Sequence, residues 1–169
     1  MSRVVRERGP VFTSFPDRTV LECTQLLALP LKTVFEFFSD AHNLERITPP
    51  FLCFRILEMS TPHVEAGTVI RYRLRLHGLP LGWTSRIEVW EPPRRFVDVQ
   101  VRGPYGLWRH LHEFAPEGEA TRIRDRVEFR LPLGILHRTP VLSWVRRDVR
   151  AIFEYRRQAI GRLLGVPTD

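Results

Sequence analysis

At 169 residues, 43% hydrophobic and 27% charged, the chain is long enough for one domain with its own core and too apolar for a disordered one. Its formal charge is +7 and all but Lys32 of its 26 basic residues are arginine, a balance that raises the question of nucleic-acid binding. Against that reading, the arginines sit singly at alternate positions, as in "RYRLRLHG" and "RIRDRVEFR", with Glu or Asp close by, which is the pattern of a solvated outer face. Cys23 and Cys53 lie far apart with no CxxC, which excludes a disulfide framework and fits a reducing cytoplasm. "MSRVVRERGP" is not a signal sequence, and no apolar run is long enough to span a bilayer.

In chain order, residues 1–17 are mixed and punctuated by Pro10 and Pro16, and read as an N-terminal arm or an early edge segment. Residues 18–29 have strand character. Pro30 opens a short amphipathic helix through Val34, Phe35, Phe37 and Phe38. It ends near Ser39 and Asp40, where a second short helix is capped, and Pro49 and Pro50 stop that one. Strand-like blocks follow at 51–59, 67–77, 82–91, 95–102, 107–115 and 120–131, separated by "TPHVEAG", "HGLPLG", "EPPR", "GPYG" and "PEGE". From Val141 a helix of about 24 residues places Leu142, Val145, Val149, Ile152, Phe153, Ile160, Leu163 and Leu164 on one stripe, with Arg146, Arg147, Arg150, Glu154 and Arg157 opposite. Gly165 and Pro167 end it.

The chemistry concentrates in "GPYGLWRHLHEF", residues 103–114. Trp108, His110, His112 and Phe114 alternate, and so share one face of a strand. A two-residue turn at Gly118 and Glu119 sets Phe114 opposite Ile123, His112 opposite Asp125, His110 opposite Val127 and Trp108 opposite Phe129. The same register pairs Glu113 with Arg124 and Arg109 with Glu128 on the outside. The preceding hairpin has two readings. A five-residue loop at 103–107 sets Gln100 opposite His110 and Asp98 opposite His112; a four-residue loop turns Val97, Val99 and Val101 inward instead. In the first reading Asp98, His112 and Asp125 lie side by side, and two carboxylates favour the charged imidazole unless burial opposes them. Such a group is an internal polar network, a set of ligand-orienting groups or a proton-handling site. Metal ligation by His110 and His112 is the weaker reading, because His-x-His without further fixed spacing is a common pattern. Neither a phosphate loop nor a Ser–His–Asp order occurs. Tyr72, in phase with Ile70 and Leu74, faces inward, while Trp90, out of phase with Trp83, is expected outside against Pro92 and Pro93.

"LPLKTVFEFFSDAHNLERITPPFLCFRI", the run from Trp83 to Phe114 and "DRVEFRLPLG" together resemble the START/SRPBCC superfamily, in its ligand-binding and polyketide cyclase/dehydrase-like members. The resemblance covers about residues 18–165. It implies an α+β helix-grip fold, with a curved seven-stranded antiparallel sheet wrapped around the long C-terminal helix and two short helices after the first strand. It also implies a deep apolar cavity, treats Phe96, Asp98 and Gln100 as one face, and so favours the five-residue loop.

The expected domain is therefore 18–165, binding a small hydrophobic molecule (a lipid, polyketide or other aromatic or isoprenoid-like compound) through Tyr72, Trp83, Gln100, Tyr105, Trp108, His110, His112, Phe114 and Asp125. The alternative is a cyclase or aromatase in which His112, with Asp98 or Asp125, moves protons. A third reading is an interaction module with an arginine-rich outer sheet. No cofactor, metal, nucleic-acid partner or transmembrane segment is expected, and the compartment is cytoplasmic.

Overall fold

The computed structural model describes residues 8–132 and 140–165. Residues 1–7 of the arm, Leu133 and Gly134 of the last motif, and Pro167 lie outside them. The elements are β1 (Arg8–Ser14), β2 (Thr19–Leu27), α1 (Leu31–Ser39), α2 (Asn43–Arg46), a 3₁₀ turn (Pro50–Leu52), β3 (Arg55–Met59), β4 (Val69–Leu76), β5 (Leu79–Glu91), β6 (Arg95–Arg102), β7 (Leu107–Glu117), β8 (Ala120–Arg130) and α3 (Pro140–Leu163). All strands pair antiparallel in one sheet of order β1-β2-β8-β7-β6-β5-β4-β3, and α3 packs across it. Among the described residues no helix is long and apolar enough to cross a membrane.

The sheet has eight strands, not seven, because part of the expected arm pairs with β2 as β1. Phe12 anchors it, edge-on to Phe129 at 6.4 Å, with the guanidinium groups of Arg146 and Arg150 over its ring. Arg150 also donates to the Pro10 carbonyl at 2.8 Å. In "HGLPLG" only His77 and Gly78 turn. Both have positive φ, as a type I′ hairpin turn requires, and β5 begins at once.

The sheet's two halves are packed differently. Over β2 and β8, Leu21, Cys23, Val127 and Phe129 are buried against Leu142, Val149 and Phe153 of α3. Beside them, Leu27, Ile123, Phe96 and Phe114 pack on Val34 and Phe35 of α1 and on Ala159 and Ile160 of α3. Leu163, expected on the apolar stripe, is exposed, and Ala159 takes the buried place near the helix end. Over β4 and β5, Tyr72, Leu74, Leu76 and Leu81 are only half-buried. They border open space.

Trp90 is a second correction. A bulge between Ile87 and Val89 shifts the alternation of β5, so Trp90 turns inward onto Phe35 at 5.3 Å and Phe96 at 5.5 Å. Arg86, ahead of the bulge, is exposed.

Candidate functional site

The open space is a cavity of about 200 Å³ between α3 and strands β4–β7. Its wall is largely aromatic and aliphatic, from Phe38 and Leu44 at one end to Tyr105, Val145 and Ile152 at the other. A shallower polar pocket adjoins it at Asp40, Ala41 and Val64.

Strand β7 brings the polar groups to this wall. The β7–β8 ladder has the expected register in full, with His112 opposite Asp125 and His110 opposite Val127. Gly118 has the positive φ that its tight turn needs. Glu113 and Arg124 form the expected ion pair at 3.2 Å, whereas Arg109 reaches Glu88 at 3.0 Å and leaves its ladder partner Glu128 to Arg18 and Arg126. The β6–β7 ladder is two residues off the five-residue-loop reading, with Asp98 opposite His110 and Phe96 opposite His112. A two-residue slip keeps the same side chains inward, so Asp98 still faces the cavity.

Asp98, His110, His112 and Asp125 consequently form a closed group. Asp125 Oδ1 lies 2.9 Å from His110 Nε2, in hydrogen-bonding alignment. It is also 2.9 Å from His112 Nδ1, but off line, so that contact is ionic rather than a hydrogen bond. On the other side Asp98 Oδ2 is 3.6 Å from His110 Nδ1 and 3.5 Å from His112 Nε2. The imidazoles stack on each other at 3.7 Å, and Phe96 covers the other face of His112 at 4.1 Å.

Burial and charge divide the protons unequally. Burial pushes His110 down to about 4, and the neighbouring His112 charge adds to it. Burial opposes the His112 charge too, but the Asp125 and Asp98 carboxylates outweigh it and hold this imidazole above its usual value. Burial raises both aspartates; the two histidines overcome that and keep Asp98 low and Asp125 far below the usual carboxylate range. The group thus favours two carboxylates, a neutral His110 and the proton's charge on His112. His110 then donates from Nε2 to Asp125 and leaves Nδ1 as an acceptor.

The expected site residues separate into two sets. Tyr72, Trp83, Tyr105, Trp108, His110, His112 and Asp98 line the cavity. Tyr72 and Trp83 stack, and both bond to the Ser85 hydroxyl at 3.0 Å. Gln100, Phe114 and Asp125 do not line it. The Gln100 amide clamps the 103–107 loop, donating to the Tyr105 carbonyl at 2.7 Å and accepting from the Tyr105 N–H at 3.2 Å; a Cβ on Gly103 would collide with it. Phe114 packs on Phe35 and Phe38, and Asp125 stands behind the histidines. Ser85 was missed, although it follows Trp83 by two on one strand; Arg156 was missed although it continues the 142, 145, 149, 152 spacing of the helix stripe.

Asp98, His110 and His112 also offer one metal-ligating atom each, all within 4.8 Å of one another. Such a trio is able to hold a cation with Asp125 orienting His110 from behind.

The family model described as polyketide cyclase/dehydrase and lipid transport matches residues 27–154. No curated protein matches the chain. Solved structures similar to it include Ms6760 from Mycobacterium smegmatis, with TM-score 0.68 and 15% identity over 92% of this chain and 96% of that one. The Zhui aromatase/cyclase from Streptomyces sp. R1128 gives TM-score 0.62 and 22% identity over 85% and 94%. Major latex-like protein 151 from Panax ginseng gives 0.55 and 16% over 81% and 98%. Identities this low speak for the fold alone. The match of the family model along most of the sequence places the chain in the polyketide cyclase/dehydrase and lipid transport family.

Proposed function

We propose that the protein binds a small hydrophobic molecule between the sheet and α3. One observation carries this reading: an aromatic cavity onto which Asp98, His110, His112, Tyr72 and Ser85 converge. An apolar site with a few oriented polar atoms is what recognition of a small ligand needs. Native mass spectrometry of protein purified without detergent tests it. A co-purified molecule of defined mass is expected; a purely apo protein that also takes up no apolar probe would sink the reading.

A second reading has its own observation, two imidazoles stacked at 3.7 Å between Asp98 and Asp125, with burial favouring a neutral His110 and the carboxylates favouring the charge on His112. In a ring closure, His110 Nδ1 takes the proton from an activated carbon, the enolate attacks a carbonyl, and His112 delivers a proton to the oxygen that becomes an alcohol. Turnover of a poly-β-keto thioester, lost in His112→Asn with ligand binding retained, would favour the enzyme. Both readings take the four side chains as a proton-sharing network. Metal analysis is accordingly expected to find no stoichiometric zinc or iron, and a chelator is expected to leave the melting temperature unchanged. One bound equivalent would replace both readings of these residues.

A further inference from the structure

We infer that the ligand of this cavity is an organic acid, one or two rings carrying a carboxylate, and that Arg156 is the residue that binds the anion. The inference rests on the ligand-binding reading and adds to it the charge and size of the ligand.

Arg156 lies seven residues after Val149 and three after Phe153, so its side chain leaves α3 on the cavity face. Among the described residues that line the cavity it is the only arginine or lysine. The acids on the same wall are already engaged: Asp98 with the two histidines, Asp148 with His77 at 2.8 Å, and Asp40 with His42 at 3.0 Å. Arg156 is paired with none of them, although its charge reaches Asp98 through space and helps to hold that carboxyl low. It has no hydrogen bond or ion pair among the described residues, and its Nε is buried without a partner. Its nearest defined contact is with the Phe153 ring, 5.1 Å below the guanidinium carbon. By contrast, Arg150 on the opposite side of α3 reaches the Pro10 carbonyl, and Arg146 reaches Ser14.

A guanidinium drawn partly out of water and left unpaired is a standing cost. A carboxylate removes it with two parallel N–H···O bonds, a geometry that suits the planar fork of arginine. The remaining wall, with Trp83, Trp108, Tyr72 and Phe96, offers ring faces for stacking. Size sets the other limit. A dry cavity of about 150 Å³ holds benzene, so about 200 Å³ suits one or two rings rather than the chains of a diacyl lipid.

The test compares 2-naphthoate with its neutral counterpart 2-naphthamide, read by quenching of tryptophan fluorescence and by calorimetry. Wild type is expected to bind the acid at least about tenfold tighter than the amide. Arg156→Met is expected to erase that preference by weakening the acid about tenfold, with the amide unchanged within about twofold, and Arg156→Lys to restore part of it. Arg156→Gln serves for the same comparison if Arg156→Met does not fold. Equal binding of acid and amide to wild type, or a preference that survives the loss of Arg156, overturns this inference and leaves the ligand-binding reading standing. Failure of both probes to bind wild type at millimolar concentration overturns this inference, and the ligand-binding reading with it where the protein also purifies without a bound molecule.

Discussion

The sheet over β2 and β8 and the sheet over β4 and β5 are built from the same alternation, yet one is filled and the other is hollow. On β2, Leu21, Cys23 and Leu27 meet α3 and α1 directly, and on β8 Val127 and Phe129 have no exposed surface at all. On β4 the inward Tyr72 and Leu74 stand opposite Trp83 and Leu81 of β5 and border the cavity instead. β7 stands between the two regimes. Through His110 and His112 it ties to Asp125 on the filled side and to Asp98 on the hollow side. A packed half and a hollow half are thus placed side by side in one layer, with a charged seam dividing them.

The contrast makes graded predictions. The largest effect belongs to the filled half. Phe129→Ala removes a fully buried ring and is expected to cost about 3–5 kcal/mol in urea unfolding. A cost near that of a cavity-wall residue would erase the distinction between the halves.

The seam comes next, through pH. His110 stays neutral in the folded chain, whereas the unfolded chain protonates it below about 6.5. Stability therefore falls as the pH drops from about 6.5 toward 4, by about 3 kcal/mol when complete. His112 acts in the opposite sense. Its raised folded value gives stabilisation that is whole below about 6.5 and disappears as the pH rises through the folded pKa. Unfolding midpoints across pH 4 to 8 are expected to peak near 6.5, with the acid limb flattened in His110→Asn. A flat profile between pH 4.5 and 8 would show that the two histidines are not divided as described.

Asp125→Ala strands the imidazoles from behind, and is expected to cost about 1–3 kcal/mol. Asp125→Asn sharpens this, because it keeps the shape and removes the charge. The NMR titration of His112 is expected to move to lower pH in that variant, and an unmoved curve would mean that Asp98 alone sets it.

The smallest effect belongs to the hollow half. Ile152→Ala, facing the cavity from α3, is expected to cost about 1 kcal/mol or less, since the site already borders a void. A loss as large as that of Phe129→Ala would mean that this wall is packed as tightly as the filled half.

How much of this was legible in the sequence differed from one hairpin to the next. The β7–β8 register followed from one glycine turn and two outward charge pairs, because a one-residue error would have put Arg124 and Glu113 inside. The β6–β7 register did not follow, since a slip of two residues preserves every inside and outside assignment. What decides it is the Gln100 clamp on Tyr105, a contact made within the loop that no alternation reveals. Trp90 was misplaced for a related reason: the bulge at Ile87 and Val89 changes phase inside a strand that reads as continuous. The β1 pairing was hidden by Pro10 within it and Pro16 just beyond, and is held by Phe12 under arginines that come from the far end of the chain.

The position of β7 has one more consequence, for how such a protein diversifies. Substitutions on β4 and β5 reshape the cavity toward the far side of the sheet, several strands away from the ladder between β2 and β8. On the proposed ligand-binding reading, a lineage can therefore exchange one ligand for another there while the half that holds the fold together accumulates almost no change, and destabilising mutations, the common brake on new specificity, fall mainly where they are cheapest.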